Sequence, residues 1–64
     1  MQQQRVYRPD QVAKMLQVSK RTVYRLVSSG EIGAFLVRSQ LRITAEAVDE
    51  YIRWQTERYD RGLE

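Results

Sequence analysis

The chain contains no cysteine and no histidine among its 64 residues. Their absence excludes a disulfide framework, a structural zinc site built on cysteine and histidine, and any nucleophile activated by histidine. No apolar run approaches the ~20 residues that a membrane span needs. The polar N-terminal residues 1–5 also lack the apolar core of a secretion signal. We therefore expect a cytoplasmic protein with no catalytic residues, no cofactor and no bound metal.

Glycine and proline are also scarce, with three and one residues respectively, and the length allows one domain at most. A hydrophobic content of 42% is ordinary for a folded protein, so wholesale disorder is not expected. A chain this short is too small to enclose a substrate, which makes an enzyme the least favoured class. We predict a flexible arm at residues 1–6, a folded domain at 7–57 and a flexible charged tail at 58–64.

Charge is divided unevenly along the chain. Residues 1–44 carry eight basic and two acidic side chains, whereas residues 45–64 carry three basic and six acidic ones. A basic first part next to an acidic last part indicates a directed electrostatic field. Nucleic acid is the favoured polyanionic partner, and a membrane surface is the weaker candidate.

Residues 19–30 predict a short helix with two unlike faces. Ser19 is a favourable N-cap residue and Gly30 is favourable just beyond the C-terminus. At 100° per residue, Val23, Leu26 and Val27 share an apolar arc. The opposite face carries Arg21, Tyr24, Arg25 and Ser28. That face suits a groove of phosphates and base edges, although a charged face is more often simply solvated.

A first helix is expected from about Pro9 to Leu16, with Val12, Ala13 and Leu16 buried. Pro9 suits its first position, and Tyr7 can pack on Val12 across the helix start. The short segment before Ser19 leaves room only for a turn, so the two helices form a helix-turn-helix. Within that turn we expect Val18 to plug the core.

After Gly30, the β-branched and large apolar residues of 32–37 and 41–43 predict a two-stranded hairpin, or wing. Its tip is expected at residues 38–40. Leu41 and Ile43 should face inward, so that Arg42 points outward.

A third helix is predicted after Thr44, which can cap it. The apolar members of a stripe should close the core, and that stripe comprises Val48, Tyr51, Ile52 and Gln55. Trp54 lies off this stripe and is either a half-buried lid over the N-terminal arm or an exposed contact for a partner. The fold class predicted is therefore mostly α with a small β-hairpin: a winged helix-turn-helix of three short helices and a two-stranded wing.

The combination resembles the excisionase-type helix-turn-helix family, small winged relatives of the MerR DNA-binding domain. The resemblance covers roughly residues 7–54. Its specific parts are Val-Ala-Lys-Met-Leu-Gln-Val-Ser at 12–19, Arg-Thr-Val-Tyr-Arg at 21–25, Gly-Glu-Ile at 30–32 and Arg-Ile-Thr at 42–44. Two positions depart from the family pattern: Arg38-Ser39-Gln40 stands where a glycine and basic residues are usual, and Leu36 replaces a basic residue. The wing is therefore expected to be more weakly anchored, with Leu36 available for a protein contact.

The resemblance implies binding of double-stranded DNA, with the second helix in the major groove and the wing in the adjacent minor groove. The DNA-contacting residues expected in the helix are Ser19, Lys20, Arg21, Thr22, Tyr24, Arg25 and Ser28. Those expected in the wing are Arg38, Ser39, Gln40 and Arg42. For Arg21 and Arg25, contact with guanine and contact with phosphate are equally open. Tyr24 can instead pack beneath the wing, and Ser19 can serve only as a cap.

The resemblance further implies an excisionase-like recombination directionality factor that bends DNA beside an attachment site and acts with a site-specific integrase. Cooperative self-association on DNA would add affinity, through Leu36, Trp54 or the tail. A small transcriptional regulator of a phage or mobile element would use the same surface. A third alternative is a protein-interaction module of the antitoxin type.

Overall fold

The computed structural model describes residues 5–62, and the side chains of residues 5–59. Within this range three helices and three strands follow one another in the order β1, α1, α2, β2, β3, α3. Their bounds are β1 Val6–Tyr7, α1 Pro9–Leu16, α2 Lys20–Ser28, β2 Phe35–Val37, β3 Gln40–Thr44 and α3 Ala45–Gly62. The predicted winged helix-turn-helix class is confirmed, with one strand added.

Helix α1 begins at Pro9, and the Arg8 N–H before it donates to Gln11 Oε1 at 2.9 Å. The helix ends where Gln17 adopts the left-handed conformation with φ 59°. There the Val18 N–H donates to the Ala13 carbonyl at 2.9 Å, and the Gln17 N–H to that of Lys14 at 3.2 Å. This pair of bonds is a Schellman motif, which turns the chain sharply. The backbone therefore holds the turn, and Val18 is 39% exposed rather than the core plug predicted.

Helix α2 is capped at both ends as the sequence predicts. The Thr22 N–H donates to Ser19 Oγ at 3.1 Å. At the other end Gly30 has φ 83°. Its N–H donates to the Val27 carbonyl at 3.1 Å, and the Glu31 N–H donates to that of Leu26 at 2.9 Å. A second Schellman motif thus directs the chain out of the helix toward the wing.

The wing is tighter than predicted. Strands β2 and β3 pair antiparallel, with Val37 opposite Gln40, so the turn consists of Arg38 and Ser39 alone. Both have positive φ, 51° and 67°, as a type I′ hairpin turn requires. Gln40 therefore belongs to β3 and not to the tip.

A third strand, which the sequence did not predict, completes the sheet in the order β1-β3-β2. Val6 pairs with Thr44, and Tyr7 pairs with Ile43. The Ala45 N–H also donates to the Arg5 carbonyl at 2.9 Å. The start of the described chain is thus joined to the strand that leads into α3.

The core is drawn from the three helices, β3 and the segment after α2. Its six buried members are Val12, Ala13, Val23, Ile32, Ile43 and Val48, none more than 6% exposed. Partly buried side chains around them are Tyr7, Leu16, Leu26, Val27, Ala47 and Tyr51. The apolar faces that the sequence predicts for the first two helices are confirmed. Because Val23 of α2 and Ile43 of the wing belong to the same core, packing there holds α2 against the wing.

Helix α3 packs on this core only in its first turns. The Ala47 N–H donates to Thr44 Oγ1 at 3.0 Å, which confirms the predicted cap. Val48 is buried, but Ile52 is 44% exposed, so its predicted place in the core is wrong. Trp54 is 45% exposed, with the Arg58 guanidinium carbon 4.8 Å from the centroid of its ring.

Secondary structure reaches into both segments predicted to be flexible. Val6 lies in β1, and α3 continues to Gly62. The remainder of the predicted arm, residues 1–4, and the last two residues of the tail lie outside the described part of the chain. None of the helices in residues 5–62 is long and apolar enough to cross a membrane.

Candidate nucleic-acid interface

The outer face of α2 is open to solvent. Lys20, Arg21, Tyr24, Arg25 and Ser28 are all exposed, whereas Val23 on the inner face is fully buried. The two unlike faces that the sequence predicts are therefore present. The Ser19 and Thr22 hydroxyls lie 2.9 Å apart and the Ser19 oxygen also caps the helix. Part of the hydrogen-bonding capacity of these two side chains is thus used within the helix start.

A groove lies between this helix, the wing and the start of α1. It has a volume of about 540 Å³ and is open rather than enclosed. Its lining side chains are Arg8, Pro9 and Asp10 before and in α1; Lys20, Tyr24, Val27 and Ser28 in α2; Leu36 in β2; and Ser39, Gln40, Leu41 and Arg42 in the wing. An open trough of this kind can accept an edge of a polymer, but it cannot sequester a small substrate from water.

Six of the residues predicted as DNA contacts meet in this groove: Lys20, Tyr24, Ser28, Ser39, Gln40 and Arg42. The other five predicted contacts do not line it. Arg21 and Arg25 are exposed on α2 outside the groove, Arg38 is exposed at the wing tip, and Ser19 and Thr22 lie at the helix start. The two predicted arginines of the helix thus lie on a separate exposed surface outside the groove.

Arg42 lies closer to the protein than predicted. Its Nη1 donates to the Leu41 carbonyl at 2.7 Å and its Nη2 to Gln40 Oε1 at 2.8 Å. Alternation along β3 does place Arg42 away from the buried Ile43. However, Gln40 shares that face two residues earlier and provides an acceptor, so the guanidinium lies partly buried along the strand instead of projecting outward.

An ion pair at the start of α1 completes the groove. Arg8 Nε lies 3.1 Å from Asp10 Oδ1, and Arg8 Nη2 donates to Asp10 Oδ2 at 3.5 Å. The hydrogen bond from Arg8 lowers the pKa of the Asp10 carboxyl, and the positive charges of Arg8 and Lys20 lower it further. From the sequence, Arg8 is expected to add positive charge at the start of the first helix, but neither Arg8 nor Asp10 is among the predicted DNA contacts.

Positive charge dominates the groove. Arg8, Lys20 and Arg42 contribute three cations to the lining, against the single carboxylate of Asp10. A concave surface with this balance attracts a polyanion. No group of three or more potential metal ligands lies together among the described residues.

A helix pair joined by a tight turn, followed by a β wing, defines the class of winged helix-turn-helix domains. Within that class the chain belongs to the family described as "Helix-turn-helix domain", which matches residues 6–56. The matched segment runs from the start of β1 into α3, so it includes every element that lines the groove.

Two curated mycobacterial proteins are similar over most of this chain. They are "Putative DNA-binding protein MT0521" of Mycobacterium tuberculosis strain CDC 1551 / Oshkosh and "Putative DNA-binding protein Rv0500A" of strain ATCC 25618 / H37Rv. Each is 42% identical over 52 residues, which is 81% of this chain and 64% of the relative. The chain therefore spans a little under two thirds of the length of these relatives. No solved structure matches the chain significantly.

Proposed function

We propose that this protein binds double-stranded DNA, with α2 in the major groove and the wing against the neighbouring minor groove and backbone. The observation that carries the proposal is the exposed basic face of α2, with Lys20, Arg21 and Arg25, beside a groove walled by the wing. Membership of the helix-turn-helix family and the names of the two relatives support it.

Within this arrangement the two arginines have a defined place. Arg21 and Arg25 are four residues apart on the helix, so their side chains are neighbours along one exposed line. A guanidinium in the major groove binds O6 and N7 of guanine through two hydrogen bonds, or holds a phosphate. Lys20 and Ser28, at opposite ends of the helix, suit backbone phosphates on either side of that contact.

The direct test is the double variant Arg21→Ala/Arg25→Ala, measured by gel shift on a duplex selected by the wild-type protein from a random pool. Two lost contacts of about 1–3 kcal/mol each predict a decrease in affinity of at least about thirtyfold. Arg53→Ala is the matched control, because Arg53 is an exposed arginine on α3, which contributes no groove residue. Unchanged affinity in the double variant would refute the placement of α2.

The more specific role we propose is that of an excisionase-like recombination directionality factor, acting on DNA beside an attachment site together with an integrase. The support is the resemblance carried by residues 12–25 and 42–44 and the small size of the interface. A single domain with about five phosphate contacts would bind with a salt slope near −4 to −5, which favours several copies on adjacent sites.

Footprinting on the DNA that flanks the gene, followed by circular-permutation bending assays, tests this role. Several protected sites with a large bend are expected, since bending costs about 1–6 kcal/mol and must be offset by added contacts. One protected promoter site without a bend would instead indicate a transcriptional regulator. Failure to bind any duplex would favour a protein-interaction module, for which the exposed Phe35, Leu36 and Trp54 are candidate contacts.

A further inference from the structure

The ion pair between Arg8 and Asp10 contributes little to the stability of the fold. The start of α1 is already capped by Gln11, whose side chain accepts from the Arg8 N–H, while the Arg8 carbonyl accepts from the N–H groups of Gln11 and Val12. The side chains of Arg8 and Asp10 are 56% and 47% exposed, so they bury no core surface. An exposed pair of this kind changes folding equilibria by about fivefold at most.

The position of the ion pair says more about its function than its small contribution to folding does. Both side chains line the same groove as Lys20 of α2 and Arg42 of the wing. Asp10 is the one negatively charged group among the described residues that line this groove. Its carboxylate therefore lies where the proposed DNA-binding surface would bring phosphate oxygens.

The Asp10 carboxylate and a DNA phosphate are similar acceptors for a guanidinium. Carboxylate and phosphate oxygens bind a guanidinium in the same forked geometry. A guanidinium has five N–H donors, and the geometry here uses Nε and one N–H of Nη2. The other donors of Arg8 remain available to a second anion at the edge of the groove.

We propose that Arg8 and Asp10 form a phosphate latch, in which a backbone phosphate of bound duplex DNA replaces the Asp10 carboxylate on the Arg8 guanidinium. Arg8 is then a further DNA-contacting residue, and Asp10 restrains it in the free protein and opposes binding until the exchange occurs. This inference rests on the proposed DNA binding and adds to it a contact from outside α2 and the wing.

The test uses the whole 64-residue chain and a fluorescein-labelled duplex of mixed sequence, about 20 base pairs long. Its affinity is measured by anisotropy at NaCl concentrations from about 50 to about 200 mM, because a phosphate contact is read from the salt dependence and not from sequence. Four proteins are compared: the wild type, Arg8→Gln, Asp10→Asn and the double variant.

Arg8→Gln is expected to lower the steepness of the salt dependence by about 0.9 and to reduce affinity about eightfold near 0.1 M salt. Asp10→Asn is expected to raise affinity about two- to fivefold. In the Arg8→Gln background most of that gain should disappear, because the released guanidinium that produces it is absent.

Matched controls are Arg53→Gln and Asp49→Asn, which make the same changes of charge at exposed positions of α3. Both should leave affinity and salt slope nearly unchanged. Circular dichroism melts of all variants check that the effects on DNA binding do not arise from unfolding.

Any of three results would overturn the latch. The first is an unchanged salt slope in Arg8→Gln. The second is an equal gain in affinity from Asp10→Asn in both backgrounds, which would make Asp10 a general source of repulsion. Loss of affinity in Asp10→Asn would also refute it, by assigning Asp10 a favourable contact with DNA. If the wild type does not bind the duplex at all, the proposed function itself fails. If the wild type binds and its binding depends on Arg21 and Arg25, the proposed function holds, and the three results above then refute the latch alone.

Discussion

The orientation of an individual charged side chain depends on hydrogen-bond partners in neighbouring residues, which a pattern of polar and apolar residues does not take into account. Arg42 is predicted to point outward by alternation along its strand, yet its guanidinium lies along the strand because Gln40 and the Leu41 carbonyl accept its hydrogen bonds. Arg8 is likewise held by Asp10. The period of a strand places Gln40 and Arg42 on one face, but it does not say that their side chains hydrogen-bond. The helical period gives no guidance for Arg8 and Asp10, which are two positions apart at a helix start.

The Arg8–Asp10 contact predicts a pH effect whose sign is fixed. Because the folded-state pKa of Asp10 is below its ordinary 3.8, the contact stabilises the fold above about pH 4 and this contribution is lost as the pH falls through the lowered pKa. Arg8→Gln removes the largest cause of the shift, so the pKa of Asp10 should rise toward its ordinary value while Lys20 continues to lower it. Carboxyl carbon chemical shifts followed by NMR between about pH 2 and 6 measure this. Arg53→Gln serves as the control, and an Asp10 pKa that is the same with and without Arg8 would contradict the assignment.

At the scale of elements, helix ends decide the geometry of the interface. The two Schellman motifs at Gln17 and Gly30 stop α1 and α2 where the chain must turn, and the second one directs it toward the wing. Gly30 has φ 83°, a conformation that costs a residue with a Cβ about 1–2 kcal/mol. Nothing lies within 4 Å of a Cβ built at Gly30, so any cost of a larger residue there is conformational and not steric.

Gly30→Ala is therefore predicted to lower the free energy of unfolding by about 1 kcal/mol. Gly33→Ala is the matched control, since it also has open space around a Cβ but no positive φ. It should be neutral or slightly stabilising, because alanine restricts the unfolded chain more than glycine does. Urea denaturation of both variants gives the comparison. Equal losses at the two positions would mean that the left-handed turn at Gly30 is not what the glycine provides.

The elements that the sequence predicted well are those with local signals. Both helices of the helix-turn-helix carry apolar faces of the right period, and Ser19, Gly30 and Thr44 mark ends that the structure confirms. The wing turn was placed one residue too long because Arg38 and Ser39 lack the glycine or asparagine that usually marks a type I′ turn. Strand β1 has two residues, too few to show alternation, and exists through its pairing with β3.

At the scale of the whole molecule, the basic groove and the acidic helix α3 are sorted to different parts of the fold. The groove takes its residues from α1, α2 and the wing, and none from the acidic helix α3. The uneven charge along the sequence predicted this sorting. The sequence could not show that Lys20, Ser28 and Arg42 would share a groove from which Arg21 and Arg25 are absent, because that depends on the angle at which the core holds α2 against the wing.

The extent of the core explains why the predicted burial of Ile52 in α3 is wrong. The apolar stripe of α3 runs past the point where the rest of the protein ends, so Val48 is buried whereas Ile52, one turn later, is 44% exposed. Helical period identifies a face, but it does not say how far along that face the neighbouring elements extend.

A pair of isoleucine substitutions tests this division of the molecule. Ile43 is 0% exposed, lies on the central strand of the sheet and belongs to the one core cluster that also contains residues of all three helices. Ile43→Ala should therefore cost about 2–5 kcal/mol. A domain of this length has a total stability of about 3–10 kcal/mol, so the helix-turn-helix and the wing should melt together at a much lower temperature.

Ile52→Ala removes the same atoms from an exposed site, and its cost should stay below about 1 kcal/mol. Far-UV circular dichroism melts report the helices, and the near-UV signal of the aromatic side chains reports their packing in the folded protein. A large loss of stability in Ile52→Ala would place α3 deeper in the core than the structure has it, and separate transitions in Ile43→Ala would mean that the fold is not one cooperative unit.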